Sequence, residues 1–305
     1  MNYRHAYHAG NFADVLKHVV LALVIEYMKR KEAPFRVIDV HAGAGRYALT
    51  SAEADKTREW LGGIGRLLGP DAKSLPPDVA RHLQPYLEAV RSENAGAALE
   101  VYPGSPAIAL RLMRAQDTLI VNELHPEERA HLKAAVGADR QVKVMALDAW
   151  VALKSLLPPK ERRGIVLIDP PFEEARELDR MVEGLKQGMQ RFATGIYLAW
   201  YPIKDLKPIA RFHLGLAALG GPKLMRIELL IQRPSDPERL NGCGLIVANP
   251  PYTLAGELAS ILPDLSRRLA AGATGARHRL DWIEPAASGA GRPAPEPKRG
   301  VRPRR

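Results

Sequence analysis

Two four-residue motifs in the sequence combine an acid or an amide, two prolines and an aromatic ring. Asp169-Pro170-Pro171-Phe172 ends the apolar run GIVLID, and Asn249-Pro250-Pro251-Tyr252 ends the similar run GLIVAN further along the chain. Amino-group methyltransferases use this arrangement to hold a planar nitrogen nucleophile. The acid or amide and the carbonyl of the first proline accept both amino hydrogens, which directs the nitrogen lone pair toward a methyl group. A single domain needs such a site only once.

Apolar runs that alternate with helical patterns indicate how these motifs are positioned. Strands alternating with helices predict an α/β fold whose sheet is mostly parallel and whose crossovers are right-handed. The predicted helices are residues 12–31, 128–136, 178–192 and 209–219. The predicted strands are residues 35–40, 118–124, 142–148, 164–169, 195–202, 223–231 and 244–249.

The last two predicted strands are joined by RPSDPERLNGCG, a short segment rich in turn residues. Such a connection favours a hairpin, so the last strand should run antiparallel to the others. A seven-stranded, mostly parallel sheet with an antiparallel last strand is the Rossmann-like arrangement of class I methyltransferases that use S-adenosylmethionine. By analogy we expect that fold.

The long segment between the first two predicted strands divides the chain. It exceeds what one crossover helix needs and reads as polar helices interrupted by LPPD at 75–78. We therefore predict a small helical insertion subdomain at 51–96, within a methyltransferase domain formed by 1–50 and 97–285. Residues 286–305 are rich in Pro, Gly and Ala without apolar periodicity, which predicts a basic disordered tail.

Strand direction separates the two Pro-Pro motifs. In an open parallel sheet, ligands bind beyond the carboxyl ends of the strands, where the strand order reverses. Asp169 follows a parallel strand and should lie at this crevice, whereas Asn249 follows the reversed strand and should lie at the opposite edge. Two prolines also end a strand without any further role, and this is our interpretation of the Asn249 motif.

Carboxylates follow several predicted strands in turn. DVHAGAGRY follows the first strand and provides Asp39, His41 and Gly43 in a glycine turn that lacks the spacing of a pyrophosphate site. Glu123 follows the second strand, where a carboxylate can accept from both ribose hydroxyls, and Asp148 follows the third, where it can accept from the adenine amino group. This series, continued by Asp169, predicts a site for S-adenosyl-L-methionine.

Composition limits the class of protein and its partners. The chain has 305 residues, one cysteine and no apolar run long enough to span a membrane, so we expect a cytoplasmic protein without a disulfide framework. His5 and His8 lack a third ligand at suitable spacing, so no metal site is expected. The net charge is +10, and the tail, with six basic residues and one acidic residue, contributes +5 of it. This charge favours nucleic acid, although a tail that only aids solubility fits nearly as well.

Seven blocks of the sequence resemble the bacterial RlmJ family of adenine-N6 methyltransferases that act on 23S ribosomal RNA. The resemblance runs from about Asn2 to Pro285 and implies a monomer with a helical insertion that methylates adenine 2030 of 23S rRNA. We expect naked or precursor rRNA as the substrate, although the sequence itself does not distinguish these from an assembled particle. The blocks are YRHAYHAGNFADVLKH, DVHAGAGRY, YPGSP, NELHP, RRGIVLIDPP, RFATGIYLAWYP and the late NPP turn.

The resemblance also implies residue roles that spacing alone does not supply. Asp169 would be the catalytic proton acceptor, within a motif where Pro170 and Phe172 hold the base, and Tyr3 and Arg4 of the YRH start would engage the RNA. The residues implied or argued to bind the cofactor are Lys17, His18, His41, Gly43, Ser105, Glu123, Asp148, Ala149 and Asp169.

The sequence departs from the family at two of these positions. Phe172 stands where relatives usually have Tyr, which keeps the stacking surface but loses the hydroxyl, and Ala149 stands where relatives often have Gly. Two alternatives stay open. The same motif serves adenine in DNA, and a nucleic-acid-binding protein that has lost catalysis would share the charge but has no use for the carboxylate series.

Overall fold

The computed structural model describes residues 4–96, 98–220, 223–272 and 274–285. Its first long element is helix α1, Phe12–Lys29, close to the predicted range. The side chain of Asn11 caps the helix by accepting hydrogen bonds from the backbone of Ala13 and Asp14. Nearly all of α1 is buried, including the charged residues Asp14 and Lys17. Burial of two ionisable side chains in the first turns requires ionic partners, which lie at the functional site.

All seven predicted strands are present in the central sheet, which the structure extends by one. Two shorter strands, β2 (Arg46–Ala48) and β3 (Val101–Pro103), form a separate antiparallel ribbon. The eight strands of the central sheet are β1 (Arg36–Asp39), β4 (Thr118–Asn122), β5 (Val142–Met145), β6 (Gly164–Ile168), β7 (Ile196–Ile203), β8 (Leu224–Leu230), β9 (Gly242–Ala248) and β10 (Arg277–Ile283).

The strand order is β10-β8-β9-β7-β6-β1-β4-β5. Strands β7, β6, β1, β4 and β5 are mutually parallel, and β9 is antiparallel to both β7 and β8. The predicted hairpin and the reversed direction of the last predicted strand are therefore confirmed. The order reverses between β1 and β6, so a crevice opens at the carboxyl ends of these two strands.

The prediction of seven strands was wrong by one. Strand β10 pairs antiparallel with the outer edge of β8 and closes that side of the sheet. Its sequence, RHRLDWI, carries charges along its length, and none of its residues is fully buried. The prediction relied on continuous apolar runs, which mark strands covered on both faces and overlook a charged edge strand.

Helices fill the connections between the strands. A 3₁₀ turn at Glu59–Gly62 lies among the first helices of the 51–96 segment, and α4 begins at Pro77, inside the predicted LPPD break. Helix α4 packs against α1, α5 and α10, so its apolar face joins the main core. The division of the chain into subdomains stays a prediction. The helices after α1 are α2 (Ala52–Thr57), α3 (Gly65–Leu68), α4 (Pro77–Arg91), α5 (Ser105–Leu112), α6 (Pro126–Val136), α7 (Ala149–Leu156), α8 (Glu177–Arg191), α9 (Leu206–Ala217) and α10 (Leu254–Arg268).

Apolar side chains cover both faces of the sheet. One face packs against α1, α4, α5 and α10, and the other against α7, α8 and α9. None of the helices within the described parts of the chain combines the length and apolar character needed to cross a bilayer. The predicted tail, residues 286–305, lies outside the described residues. Because helices cover both faces of the sheet, ligand-binding sites can form only at the ends of the strands.

Candidate active site

A cleft of about 1080 Å³ opens at the carboxyl ends of the parallel strands. It is the place where an open α/β sheet binds its ligands. The structure brings all of the predicted cofactor and catalytic residues to its walls. These are Lys17, His18, His41, Gly43, Ser105, Glu123, Asp148, Ala149, Asp169, Pro170 and Phe172.

Asp169 lies directly after β6 and is held by a cation from the first helix. Lys17 Nζ is 2.5 Å from Asp169 Oδ2 and 2.9 Å from Asp14 Oδ1. His5 Nε2 is 2.9 Å from the other oxygen of Asp14, which also accepts the backbone N–H of Gly10. A buried ammonium group thus lies between two carboxylates, and it fixes one oxygen of Asp169.

Burial and pairing set the charges of this cluster. Burial opposes the charged form of Lys17, but the carboxylates of Asp14 and Asp169 outweigh it and hold its pKa well above 10.5. For Asp14, burial again opposes the charge, while His5 and Lys17 hold its pKa well below 3.8. Because a paired buried charge is far less costly than an isolated one, both groups stay ionised at neutral pH.

His41 connects the glycine turn after β1 with the Asp169 loop. Its Nδ1 accepts the backbone N–H of Asp169 at 3.2 Å. Burial lowers the pKa of His41 to about 4, so the ring is neutral at pH 7 and carries its proton on Nε2. Its ring also lies 6.0 Å from the ring of Trp150 in an edge-on contact. His41 therefore positions the Asp169 loop as well as lining the cleft.

Asp39, the last residue of β1, holds Ser105, one of the residues predicted to bind the cofactor, and the backbone of His41. Ser105 Oγ donates to Asp39 Oδ2 at 2.6 Å, and the backbone N–H of His41 donates to Asp39 Oδ1 at 3.1 Å. Burial raises the pKa of Asp39 to about 6 against these two hydrogen bonds. Because the Ser105 hydroxyl donates its hydrogen to Asp39, it can interact with a ligand only as a hydrogen-bond acceptor.

Glu123 follows β4 and ties two loops to the cleft floor. Its Oε2 accepts the backbone N–H of Gly43 at 2.9 Å, and its Oε1 accepts that of His125 at 2.8 Å. Burial raises its pKa despite these donors. Gly43 has a φ of +60°, and a Cβ built there would lie 2.3 Å from the hydroxyl of Tyr47. The turn thus requires glycine and keeps backbone, without a side chain, beside the carboxylate.

Asp148 lies beyond β5 and caps helix α7. Its Oδ1 accepts from the backbone N–H groups of Trp150 and Val151 at 3.0 and 3.1 Å. Its second oxygen, Oδ2, has no hydrogen-bond partner among the residues that the structure describes. Ala149, the first residue of α7, is buried beside it. The helix cap therefore uses one oxygen of the carboxylate and leaves the other available to a ligand.

His18 provides an observation that fits a polar ligand. Its Nδ1 lies 2.8 Å from the hydroxyl of Tyr102, whereas its Nε2 is buried without a hydrogen-bond partner in the described structure. Burial lowers its pKa to about 3, so the ring is neutral. Buried polar atoms are nearly always paired, and this one lies on the cleft wall. The amino acid end of S-adenosylmethionine has the carboxylate and ammonium groups that such an atom pairs with.

Two aromatic rings stand beside Asp169. The ring of Phe172 meets that of Trp200, which lies within β7, at 5.7 Å in an edge-on contact. Phe172 has a φ of +55°, a conformation that is rare for a bulky side chain. Strain of this kind persists where the surrounding structure fixes a functional loop. The rings form an apolar wall where the motif predicts the acceptor base.

The second Pro-Pro motif lies where strand direction predicted it. Asn249 follows β9 and donates from Nδ2 to the carbonyls of Ala193 and Gly195, just before β7 begins. It is therefore at the edge of the sheet opposite the cleft. The cleft does not include Asn249 or Tyr252.

The predicted RNA-contacting start is only partly described. Arg4 is exposed and lies 3.5 Å from Glu127 and 3.9 Å from Glu53, outside the cleft lining. Tyr3 lies outside the described residues. Both assignments stay predictions.

Sequence reasoning missed several residues that build the site. Asp14 lies three residues before Lys17 on one helix, and this spacing is visible in NFADVLKH. The burial of its carboxylate is not visible in the sequence. Asn122 donates to the carbonyls of Val40 and Leu147 and so joins the loops after β1 and β5. Tyr47, under the glycine turn, and Trp200, beside Phe172, lie in the blocks DVHAGAGRY and RFATGIYLAWYP, but the sequence reasoning assigned neither a role at the site. These contacts depend on the folded chain.

The sheet and the cleft define a class of protein. Beyond its extra edge strand, the sheet has the strand order and reversed strand of class I methyltransferases, and carboxylates follow β4, β5 and β6 at the cleft. The chain is therefore a Rossmann-like methyltransferase by fold, and that fold implies S-adenosylmethionine as the methyl donor.

Comparisons with known proteins identify the family. The family model described as "RsmJ: Ribosomal RNA large subunit methyltransferase D, RlmJ" matches residues 32–284. Ribosomal RNA large subunit methyltransferase J of Haemophilus influenzae is 42% identical over 286 residues, which cover 93% of this chain and 99% of that protein. The protein of the same name in Escherichia coli is 42% identical over 285 residues, with the same coverage. The chain belongs to this family of methyltransferases.

A solved structure agrees with this assignment. A crystal structure of a protein from Legionella pneumophila is 33% identical in sequence and superimposes with a TM-score of 0.81. The match covers 90% of this chain and 98% of that one. The fold described above is therefore shared over nearly the whole length of a crystallised relative.

Proposed function

We propose that the chain transfers a methyl group from S-adenosyl-L-methionine to the N6 amino group of an adenine in 23S ribosomal RNA. The observation that carries this proposal is the Asp169-Pro170 motif at the carboxyl end of β6, with Lys17 fixing one carboxylate oxygen at 2.5 Å. The names of the two 42% identical relatives favour large-subunit ribosomal RNA as the substrate. Adenine, its N6 atom and position 2030 are our inference from the motif and the family resemblance.

The residues around the cleft match the parts of the methyl donor. Glu123 would accept from the ribose hydroxyls, Asp148 Oδ2 from the adenine amino group, and His18 would meet the amino acid end beside Ser105. Bound there, S-adenosylmethionine supplies an electrophilic methyl group on a sulfonium. Lys17, His41, Gly43 and Ala149 complete the proposed set, Gly43 through backbone and Ala149 through the start of α7.

The chemistry at the acceptor follows from the free oxygen of Asp169. Lys17 occupies Oδ2, and no hydrogen bond to Oδ1 is formed within the described residues. Oδ1 and the Pro170 carbonyl can therefore accept the two hydrogens of an adenine amino group. This pairing weakens delocalisation of the nitrogen lone pair into the ring and aims it along the line of transfer. As the new N–C bond forms, the bond between the methyl carbon and the sulfonium sulfur would break, the demethylated donor would leave as a neutral thioether, and the proton would pass from the nitrogen to Asp169.

The base must leave its stack to reach this point. Phe172 and Trp200 offer an apolar wall on which an extruded adenine would pack, and stacking of this kind tolerates the absence of a tyrosine hydroxyl. Arg4 and Tyr3 remain proposed RNA contacts. We further propose that a monomer acts in the cytoplasm on naked or precursor rRNA, because the target base must be accessible.

Methyl transfer from labelled S-adenosylmethionine tests the proposal. A 23S rRNA transcript and genomic DNA are incubated in parallel with the full-length protein, and the products are analysed as nucleosides. We expect N6-methyladenosine in the RNA alone, at a single mapped position. N6-methyldeoxyadenosine in the DNA would instead assign the same chemistry to DNA, and no product on either polymer would leave a binding protein without catalysis.

A further inference from the structure

The turn at Asn249-Pro250-Pro251-Tyr252 is held more firmly than the end of a strand requires. Asn249 has a φ of +53°, and its side-chain amide donates two hydrogen bonds of 2.8 Å to the carbonyls of Ala193 and Gly195. Two prolines then fix the following backbone. The turn places Tyr252 at the surface, where this residue is 81% exposed. Asn adopts this left-handed conformation readily, and the two hydrogen bonds and the two prolines hold it, so the Tyr252 ring is fixed at a defined, exposed position.

Tyr252 stands at the mouth of a second pocket, of about 530 Å³, at the edge of the sheet opposite the cleft. The end of α1 and the beginnings of β6 and β7 form its other walls. Tyr27 from α1 meets the ring of Tyr252 edge-on at 5.7 Å, and the Arg30 guanidinium lies 5.5 Å from the centre of the Tyr27 ring. An exposed aromatic face and a cationic wall therefore border the same cavity.

The charge of this pocket is of one sign. Its lining includes four basic residues and, within the described chain, no acidic one. Arg163 is occupied, since it donates to the backbone carbonyls of Met28 and Ala33. Arg30 reaches Glu257 only at 3.5 Å. Lys31 and Arg162 are exposed and form no ion pair with any described residue, so they can take an anion.

We propose that this pocket is a second RNA-binding site, in which Lys31, Arg162 and Arg30 bind backbone phosphate and an unpaired base stacks on Tyr252. Unpaired cations beside an exposed aromatic ring are the combination that binds single-stranded nucleic acid. A free inorganic anion would use the cations but has no need of the ring. The inference rests on RNA being the substrate of the cleft.

The position of the pocket determines what it contributes. Gly164, at the start of β6, lines the pocket, and Asp169, just beyond its end, lines the cleft. A strand of this length spans roughly 17 Å, so the two sites lie at opposite ends of one strand. A short RNA that fills the cleft does not reach the pocket, whereas a long RNA can contact both. The pocket therefore increases affinity for long RNA and leaves the chemical step unchanged.

Two variants of the full-length protein test this site. Lys31→Gln with Arg162→Asn removes the unpaired cations, and Asn tolerates the φ of +56° at position 162. Tyr252→Ser removes the stacking surface separately. The matched control, Arg111→Gln with Lys186→Gln, removes two exposed cations that also lack an ion pair in the described structure but lie outside both cavities. All are assayed on an unmethylated 23S rRNA transcript and on a short unmethylated hairpin that contains the target adenosine.

The expected results distinguish an effect on the binding of long RNA from an effect on the methyl-transfer step. Each pocket variant should raise KM and Kd for the long transcript by about fivefold or more, with unchanged kcat and with unchanged KM on the hairpin. For the cation variant, the salt dependence of binding should lose a slope of about one per phosphate contact removed. Equal KM and Kd for the variants, the control and the wild type on the long transcript would overturn the inference.

Two further outcomes keep the proposals distinct. A wild-type protein that methylates neither RNA would refute the proposed function, whatever the pocket does. An increase of KM on the hairpin as large as on the long transcript would mean that the substitutions act through the cleft or the fold, which also overturns the inference. Thermal unfolding of each variant checks that the hairpin rate reports a folded protein.

Discussion

At the scale of single residues, the site depends on which atoms are already occupied. Asp169 gives one oxygen to Lys17, Asp148 gives one to a helix cap, and Ser105 gives its proton to Asp39. Each of these interactions leaves a defined acceptor for a ligand. The carboxylates are thus oriented before any substrate arrives, which is how a site avoids reorganisation during the reaction.

Replacement of Asp169 by Asn should remove activity while leaving the fold intact. Asn keeps the size of the side chain, but with its oxygen toward Lys17 its amide N–H₂ would face the amino group of the acceptor, donor against donor. We expect kcat to fall by about 100-fold or more. Single-turnover methyl transfer to the 23S transcript measures this effect, and a rate within threefold of wild type would refute the catalytic assignment.

Replacement of Lys17 by Met should cost both stability and activity. Lys17 is 5% exposed, and its removal leaves Asp14 and Asp169 without their shared cation. Loss of one partner from a buried ionic cluster costs about 3–5 kcal/mol. Urea unfolding measures this change. Lys29→Met is the control on the same helix, because its pair with Glu26 is much less buried, with side chains 29% and 35% exposed, and should contribute about 1 kcal/mol or less.

At the scale of secondary-structure elements, strand direction decides what each motif can do. Strands β6 and β9 end in similar sequences, yet their antiparallel relation through β7 sends Asp169 to the cleft and Asn249 to the opposite edge. The same local turn chemistry therefore belongs to two different surfaces. The motif alone does not identify an active site; the strand that carries it does.

Substitution of Asn249 should separate these surfaces. Asn249→Ala loses two hydrogen bonds and places a Cβ-bearing residue without a polar group at a positive φ, at a cost of about 1–3 kcal/mol. Asn249→Gly loses the same bonds but relieves the backbone, so it should be less destabilised. In both variants kcat on the short hairpin should stay within twofold of wild type. A tenfold loss would place the turn in the catalytic machinery.

Helix α9 is joined to the sheet by a histidine whose charge depends on pH. His213 Nδ1 accepts from Arg226, and its Nε2 lies 3.1 Å from the Tyr201 hydroxyl and 3.4 Å from Glu228. Burial, followed by the Arg226 and Arg279 charges, lowers its pKa to about 4, and Asp281 opposes this only in part. The folded protein thus keeps this ring neutral well below pH 6.5.

The contribution of His213 to stability should be lost on acidification. In the unfolded chain the ring binds a proton near pH 6.5, whereas in the folded chain it does so near pH 4, so the free energy of unfolding falls as pH drops through this range. His18 and His41 act in the same direction, and Asp39, with its raised pKa, opposes them. In His213→Gln, the slope of unfolding free energy against pH should therefore be smaller by about one proton. Urea unfolding between pH 7.5 and about 4.5 measures the slope; an unchanged slope would exclude the neutral, buried ring.

Sequence patterns predicted most elements because most strands are buried on both faces. The runs that became β6 and β9 are fully buried and contain hardly any polar residue. Strand β10 was not predicted because charged residues alternate along it, and β2 and β3 were not predicted because each has only three residues. The carboxylates at the strand ends could be located from the order of the predicted strands along the sequence. The Lys17–Asp169 contact could not, because two distant residues meet only once the sheet has formed.

At the scale of the whole molecule, charge is spread over two different regions. The described cleft mixes acidic and basic residues, whereas the pocket by Tyr252 is basic and residues 286–305 add a net charge of +5. Affinity for RNA is therefore expected to depend on surfaces away from the reacting base. Release of counterions from phosphate makes each such surface sensitive to salt.

Neutralising the tail should weaken RNA binding without altering catalysis. Replacing the six basic residues of 286–305 by Gln removes six positive charges from the chain. We expect a weaker affinity for the 23S transcript and a shallower salt dependence, with kcat unchanged at saturating RNA. Titration by fluorescence anisotropy at several salt concentrations measures this. An unchanged salt dependence would leave the tail with solubility as its only role.

The contact between Lys17 and Asp169 joins residues 152 positions apart in the chain. A ribosome that adds about 5–20 residues per second needs roughly 8–30 s to synthesise the intervening segment. During that time α1 has emerged, and helices α4 and α5 can pack against it, but the sheet that completes the core around its apolar side chains, Leu16 and Val20 among them, is not yet formed. The nascent chain thus lacks the Lys17–Asp169 contact, and part of its apolar surface stays uncovered, until the residues that follow β6 have been synthesised. Chaperone protection of the growing polypeptide matters most during this interval.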